Sequence, residues 1–146
     1  MREPYTQLYI HLVWAVWDRL PLLTEDLMPR VYACIQAECR QLRCDPIAVG
    51  GVENDVHLLV RIPAALAISS LVKQVKGASS HLVTHELDPP DGFKWQGGYG
   101  AFTVSKADVP LIRDYILRQQ EHHRDQTLDQ ELEFVLQGMG GPSVST

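Results

Sequence analysis

The chain has 146 residues, of which 45% are hydrophobic and 21% are charged, and its formal net charge is −5 at pH 7. This composition supports a folded core and excludes a disordered chain. No apolar run approaches the roughly 20 residues of a membrane span, and the N-terminal residues lack a signal-peptide pattern. We therefore expect a cytoplasmic protein without a membrane partner. Cys34, Cys39 and Cys44 show no metal-type clustering and are expected to be reduced.

The negative charge argues mildly against a nucleic-acid partner, because phosphate binding requires lysine and arginine. Much of the excess lies in residues 121–133, which hold five acidic residues and one basic residue, Arg124. The rest of the chain carries 12 basic and 13 acidic residues and is close to neutral. A local basic groove is compatible with that balance.

Hydrophobic periodicity and turn residues predict a β-α-β-β-α-β-α order. The expected elements are, in chain order, a strand over 8–17, a helix N-capped by Thr24 that stops before Asp45, strands over 47–49 and 56–62, a helix over 64–86, a strand over 98–104, and a last helix capped by Asp108. A short acidic helix over 128–137 is also expected. The first six elements match the ferredoxin-like pattern, a four-stranded antiparallel sheet with two helices on one face. The other sheet face would be left bare unless a partner or ligand covers it.

The last helix carries a stripe that turns from apolar to polar. Its members recur at helical spacing and are Ile112, Tyr115, Ile116, Gln119, His122 and His123. One interpretation is a tyrosine at a helix edge with a solvated polar end. The other is a nucleophilic phenol at Tyr115 with the Gln119 amide, one turn later, as a metal ligand. A divalent cation near a phosphate makes attack by tyrosine feasible.

A second polar pair lies on the third strand, in the sequence Asp55-Val56-His57. The two-residue period of a strand places Asp55 and His57 on one face of the sheet and Val56 on the other. With Gln119 they offer one nitrogen and two oxygens, which suits Mg²⁺ or Mn²⁺ better than structural Zn²⁺. An exposed turn aspartate beside a packed histidine is the structural alternative.

Aromatic, basic and glycine residues alternate over residues 94–102, which is typical of a surface on which bases stack. A glycine-rich strand entry with core aromatics is the alternative there. The second helix offers side chains for phosphate contact, or only a solvated surface. The candidate contacts in these two segments are Lys94, Trp95, Tyr99, Lys73, Lys76, Ser79 and Ser80.

Five stretches together resemble the single-tyrosine transposases of small bacterial and archaeal insertion sequences. This family belongs to the HUH endonuclease superfamily, named after a His-hydrophobic-His motif. The stretches follow the family's order and spacing and are RLPLL (19–23), IAVGGVENDVHLLVRIP (47–63), LVKQVKGASS (71–80), WQGGYGAFTVS (95–105) and YILRQQEHHR (115–124). The resemblance covers residues from about 9 to 134 and implies one catalytic domain over 1–137, followed by a loose tail over 138–146.

The resemblance also implies a function. Members of the family are homodimers that cut and rejoin single-stranded DNA at hairpins near the element's ends, through a 5′-phosphotyrosine link and without a small-molecule cofactor. Residue by residue, Tyr115 matches the nucleophile, Gln119 the third metal ligand and His57 the second histidine of the motif. The metal would be Mg²⁺ or Mn²⁺. Arg19, in the first stretch, joins the candidate DNA contacts.

The sequence departs from the family at Asp55, which stands where the first histidine of the motif is expected. A carboxylate also binds Mg²⁺ and Mn²⁺, so the metal site is compatible with this change. The alternative is a catalytically impaired or domesticated relative that binds hairpin DNA without cleaving it. A third hypothesis, from another class, is a ferredoxin-like dimer that binds a small ligand.

Overall fold

The computed structural model describes residues 5–119. Its strands and main helices confirm the expected order. They are β1 (Leu8–Ala15), α1 (Met28–Gln41), β2 (Asp45–Val52), β3 (Asp55–Ile62), α2 (Ile68–His81), β4 (Gly100–Val104) and α3 (Val109–Leu117). None of the helices within residues 5–119 has the length and apolarity needed to cross a membrane.

The four strands form one antiparallel sheet in the order β2-β3-β1-β4. This is the ferredoxin-like arrangement, with β1 and β3 at the centre. The register between these two strands places Ala15 opposite Asp55 and Val13 opposite His57. The end of β1 therefore lies beside the polar residues at the start of β3.

The main core lies between the sheet and the helices α1 and α2. Each helix buries a stripe at the spacing of an amphipathic helix, such as Val31, Ile35 and Cys39 on α1. From the sheet, alternate residues including Leu12 and Leu58 point into the same cluster. The predicted placement of both helices on one face is confirmed.

The opposite face is not bare, which corrects the expectation from the sequence. Helix α3 packs across it and forms a second, smaller apolar cluster with Ala48, Leu59, Val104, Ile112, Tyr115 and Ile116. The physical reason is that α3 has an apolar side of its own, which it buries against β2 and β3. Helix α3 of the same chain thus covers the sheet face on which Asp55 and His57 lie.

Several element boundaries differ from those expected. Strand β1 ends at Ala15, and a 3-10 turn follows at Trp17–Arg19. Thr24 does not cap α1 through its side chain; its carbonyl oxygen accepts hydrogen bonds from Leu27 and Met28, and the helix begins at Met28. Helix α2 ends at His81 and continues as a π-helical segment, Leu82–Leu87.

The acidic helix expected over 128–137, the tail over 138–146, His122 and His123 lie outside the described residues. The domain boundary at residue 137 stays a prediction.

Candidate active site and nucleic-acid surface

The polar pair on β3 is buried. The side chains of Asp55 and His57 are both 0% exposed and lie on the face covered by α3, as the strand period predicts. Asp55 Oδ1 accepts a hydrogen bond from the Val52 backbone amide at 3.2 Å, which fixes the carboxylate at the β2–β3 hairpin. Its other oxygen, Oδ2, lies 3.5 Å from His57 Nε2. The interpretation of Asp55 as an exposed turn residue is therefore wrong.

Helix α3 brings Tyr115 to this pair. Pro110 occupies the first turn of α3, where a missing backbone amide costs nothing. The buried residues of the helix are Ile112, Tyr115 and Ile116. The Tyr115 ring packs edge-on against the His57 ring, with 5.9 Å between ring centroids. Tyr115 is thus a buried residue beside His57 and not a tyrosine at a helix edge, while the rest of the polar end of the stripe, His122 and His123, lies outside the described residues.

The close approach of α3 depends on a residue without a side chain. A Cβ placed on Gly50 would lie 2.3 Å from the carbonyl oxygen of Ile116. Gly50 is the register partner of His57 on β2. The glycine therefore lets the end of α3 lie directly over the strand pair that holds the histidine.

The phenol of Tyr115 is in an environment that favours its protonated form. Burial raises the pKa of Tyr115, the nearby Gln119 side chain opposes that rise, and the nearby Asp55 carboxylate adds to it. The net direction is upward, so the resting side chain is a neutral phenol at neutral pH.

Gln119 follows α3 and is 1% exposed. Its amide nitrogen donates a hydrogen bond to the Tyr115 carbonyl oxygen at 3.2 Å. Its amide oxygen is buried and has no hydrogen-bond partner among residues 5–119. A buried acceptor without a partner costs free energy, and a bound cation is one way to satisfy it.

The donor set fits a hard divalent ion. Within residues 5–119 no three His, Cys, Asp or Glu side chains are arranged to hold a metal together, and the Gln119 amide oxygen is the third ligand candidate beside Asp55 and His57. Asp55 Oδ2 and His57 Nε2 are close enough to share one ion. A carboxylate and an amide oxygen with one imidazole is a set that Mg²⁺ and Mn²⁺ accept.

A small cavity of about 250 Å³ opens at the edge of β2 beside Gln119. Its lining residues are Tyr32, Val49, Gly50, Gly51, Ile116, Leu117, Arg118 and Gln119. Burial raises the pKa of Tyr32, and the charges of Asp55 and Glu53 raise it further. Arg118, one of these lining residues, is exposed.

The sequence analysis does not single out His11. Its side chain is fully buried on the same sheet face as Asp55 and His57. Its Nε2 lies 3.0 Å from His57 Nδ1, and the two rings lie edge to edge with centroids 5.2 Å apart. Burial and the neighbouring His57 lower the pKa of His11 well below its usual value. The signal for His11 in the sequence is the alternating pattern of β1, which places this one histidine on the sheet face of His57.

The predicted DNA contacts fall into two groups. Lys94, Arg19, Tyr99 and Lys73 are exposed, and the Lys94 ammonium lies 4.1 Å from the ring centroid of Trp17, an exposed aromatic that the sequence analysis does not include. Asp18 and Arg19 both have positive φ, and Gln96 Oε1 accepts a hydrogen bond from the Asp18 backbone amide. The contact between Trp17 and Lys94, together with the neighbouring residues Asp18, Arg19 and Gln96, is named here the Trp17 surface. It starts two residues after Ala15, the register partner of Asp55.

The second group is built into the fold. The Trp95 indole is buried; its nitrogen donates to Ser79 Oγ at 3.0 Å, and its ring packs edge-on against Trp14 and Phe93. The half-buried Lys76 donates hydrogen bonds to the carbonyl oxygens of Gln96 and Gly98. These contacts hold the loop before β4, and they occupy Trp95, Lys76 and Ser79 in the conformation described. Ser80 is half-buried.

Comparison with known proteins assigns the chain to a family. Residues 4–119 match the family model described as transposase IS200 like. This match spans well over half of the sequence, and the chain belongs to the IS200-like transposase family. No curated protein sequence matches this chain.

Two solved structures share the fold. One is a candidate transposase from Deinococcus radiodurans R1, which is 27% identical, with 82% of this chain and 95% of that chain covered and a TM-score of 0.64. The other is a REP-associated tyrosine transposase bound to a REP hairpin, which is 14% identical, with 100% of this chain and 93% of that chain covered and a TM-score of 0.64. The α+β fold expected from the sequence is confirmed.

Proposed function

We propose that this chain is a metal-dependent tyrosine transposase that cleaves and rejoins single-stranded DNA through a covalent 5′-phosphotyrosine intermediate. The observation that carries the proposal is the approach of two elements, strand β3 and helix α3 with the residue that follows it. Strand β3 supplies Asp55 and His57, α3 supplies Tyr115, and Gln119 follows one turn later. Membership of a transposase family supports the same chemistry.

The residues that would hold the divalent ion are Asp55, His57 and Gln119, with Mg²⁺ or Mn²⁺ as the ion. When bound, such an ion supplies positive charge that withdraws electrons from the scissile phosphate. The support from this chain is the buried amide oxygen of Gln119, which has no hydrogen-bond partner among residues 5–119, and the 3.5 Å approach of Asp55 to His57.

The proposed reaction exchanges one phosphodiester for another. Tyr115 Oη attacks the phosphorus, the bond from phosphorus to the 3′-oxygen breaks, and the phenolic proton ends on the released 3′-hydroxyl. The 5′-phosphate of the downstream strand is then esterified to tyrosine. Rejoining reverses these steps with a 3′-hydroxyl as nucleophile, so no external energy source is needed.

The hydroxyl of Tyr115 is buried in the described conformation, since Tyr115 is only 5% exposed. We propose that the end of α3 shifts away from the sheet to expose this hydroxyl to a DNA phosphate. This burial also favours the second candidate function, a relative that binds hairpin DNA without cleaving it. The two candidates differ in whether a covalent adduct forms.

The proposed partner is hairpin-forming single-stranded DNA. The Trp17 surface offers an exposed indole with Lys94 over one of its faces, and Arg19 and Tyr99 are exposed nearby in sequence. Aromatic side chains flanked by cations bind unpaired bases and phosphates. A structural neighbour of this chain carries a REP hairpin, which supports the same class of partner.

We also propose a homodimer, as the resemblance implies. The outward side of α3 exposes two large apolar side chains, with Leu111 52% and Leu117 55% exposed. These two leucines are available for an interface, and the proposal of a homodimer rests on the family resemblance.

The test is a cleavage reaction on hairpin-forming single strands with Mn²⁺, resolved on a denaturing gel. A 5′-phosphotyrosine link retains the downstream strand, so a strand labelled at its 3′ end should give a protein–DNA adduct. The same strand labelled at its 5′ end should give only a shorter free product. Tyr115→Phe should abolish the adduct.

Tyr5→Phe is the matched control, because it removes a phenolic hydroxyl from an exposed tyrosine that lies outside the proposed catalytic site and DNA contacts. It should keep the adduct. A shifted band on a native gel without any adduct would support the binding protein instead. An adduct that persists in Tyr115→Phe would overturn the assignment of the nucleophile.

A further inference from the structure

The buried pair of His11 and His57 links the two central strands on the face beneath α3. His11 lies opposite Leu59 and His57 lies opposite Val13, so the two imidazoles meet diagonally across β1 and β3. Both side chains are 0% exposed. The 3.0 Å separation between His11 Nε2 and His57 Nδ1 is a hydrogen bond between ring edges, and the two ring planes are inclined by 29°.

The other nitrogen of His57 faces the candidate ion site. His57 Nε2 lies 3.5 Å from Asp55 Oδ2, while Nδ1 is occupied by His11. A hydrogen bond between two imidazoles requires one ring to donate and the other to accept. The proton shared with His11 therefore determines whether His57 Nε2 carries a hydrogen or a free lone pair.

The direction of that hydrogen bond follows from what Nε2 faces. Without a cation, the Asp55 carboxylate favours a proton on His57 Nε2, so Nδ1 accepts from His11 Nε2. A cation held at Nε2 would take up the lone pair there, so the proton of His57 would lie on Nδ1 and His11 Nε2 would be the acceptor. His11 then carries its own proton on Nδ1, a buried atom with no hydrogen-bond partner among residues 5–119.

We propose that His11 is a positioning residue that orients the His57 ring and exchanges tautomer with it when a divalent cation binds. The inference rests on the proposed function only for the identity of the ion site. Both rings carry one proton before and after, so the exchange takes up and releases none. His11 does not touch the DNA or the ion.

A second residue separates positioning from packing. The His11 ring also lies against Phe102 on β4, with 6.2 Å between centroids. Phe102→Leu changes the apolar contact of His11 and leaves both of its nitrogens in place. His11→Phe keeps an aromatic ring and removes the hydrogen bond. His11→Gln keeps a side chain that can both donate and accept.

The first measurement is the tautomer of each buried histidine, read from long-range ¹H–¹⁵N correlation spectra of the full chain. In metal-free protein we expect the proton of both rings on Nε2. On saturation with Mg²⁺ we expect both protons on Nδ1. Spectra in which His57 changes and His11 does not would overturn the paired exchange.

The second measurement is the Kd for Mn²⁺, from the paramagnetic enhancement of water proton relaxation. His11→Phe should weaken Mn²⁺ binding about 10-fold or more, as loss of a partner to a ligating histidine does. His11→Gln should recover most of the affinity, and Phe102→Leu should bind as the unaltered chain does. Equal affinity in His11→Phe would overturn the role of His11.

The two proposals fail in different ways. If the unaltered chain binds no Mn²⁺, the proposed metal dependence falls, and the tautomer exchange falls with it. If the unaltered chain binds Mn²⁺ and forms the DNA adduct while His11→Phe binds equally well, only the role of His11 is lost. Circular dichroism of each variant shows that it is folded before either measurement.

Discussion

Asp55 makes contacts that serve both the hairpin and the candidate ion site. Oδ1 accepts the Val52 backbone hydrogen bond, and Oδ2 faces His57 Nε2. A histidine at this position, as in the family motif, would have to replace both contacts with a single ring. The carboxylate is therefore part of the local structure of the β2–β3 turn as well as a ligand candidate, and the two roles separate by substitution.

Replacing Asp55 by asparagine should separate these roles. Asp55→Asn keeps an oxygen that accepts the Val52 hydrogen bond and removes a buried negative charge. We expect its free energy of unfolding to be equal to or higher than that of the unaltered chain. Its affinity for Mn²⁺ should fall at least 10-fold, because an amide is a weaker ligand than a carboxylate.

Asp55→Ala is the companion variant for that prediction. It removes the acceptor and leaves the buried Val52 amide without its partner, which costs about 1–3 kcal/mol. Urea unfolding in the absence of metal measures both variants. A destabilisation of Asp55→Asn equal to that of Asp55→Ala would show that the charge, and not the hydrogen bond, stabilises the hairpin.

Helix α3 acts as the lid of the sheet face that holds the candidate site. Its buried residues, Ile112, Tyr115 and Ile116, dock on β2 and β3, and the docking depth is set where Ile116 passes Gly50. The same contact that buries an apolar cluster also buries the hydroxyl of Tyr115. Stability of the resting arrangement and access of DNA to the nucleophile therefore oppose each other in this element.

A side chain at Gly50 should push α3 outward. Gly50→Ala places its Cβ 2.3 Å from a backbone oxygen, so the helix must shift, at a cost of about 1–3 kcal/mol. We expect a lower free energy of unfolding in urea and faster hydrogen exchange of the α3 amides. The phenol of Tyr115 should become more accessible to modification by tetranitromethane.

Gly77→Ala is the matched control for Gly50. Gly77 lies inside α2, and a Cβ there would meet nothing within 4 Å. The substitution should stabilise the protein by about 0.5–1 kcal/mol, because alanine loses less backbone entropy in a helix. Unchanged exchange of the α3 amides in Gly50→Ala would show that Gly50 does not set the position of the helix.

At the scale of the molecule, local patterns predict what depends on local geometry. The strand period is enough to place Asp55 and His57 on one face, and helical spacing is enough to align Tyr115 with Gln119. Both follow from repeats of a few residues along one element. The order of the elements then identifies the ferredoxin-like sheet, because few topologies accommodate it.

What the sequence does not predict depends on how separate elements meet. His11 becomes relevant only once the register of β1 and β3 sets it beside His57. The sequence pattern predicts that Trp95 stacks on bases. In the structure the loop before β4 lies over α2, and the Trp95 ring is buried against Ser79. The prediction of a bare sheet face is wrong for the same reason, since the docking of α3 depends on a glycine in strand β2.

The distribution of charge makes a quantitative prediction for DNA binding. The chain is acidic overall, with a net charge of −5, so long-range attraction does not favour DNA. Binding then depends on a few local cations, for which we propose Arg19, Lys73 and Lys94. Three contacts to a single strand give a slope of about −2 for log K against log salt, from about −0.7 for each phosphate.

Removing one contact should therefore reduce the salt dependence in proportion. Lys73→Ala should weaken binding and make the slope less steep by about 0.7. Lys106→Ala is the control, because it removes the same charge from an exposed position. Lys106 follows Val104, where β4 pairs with the start of β1. That end of β1 is opposite to the end at which Ala15 pairs with Asp55. Fluorescence anisotropy of a labelled hairpin strand, titrated from about 50 to 200 mM salt, measures both slopes. Equal slopes for the two variants would place the DNA on a different face of the molecule.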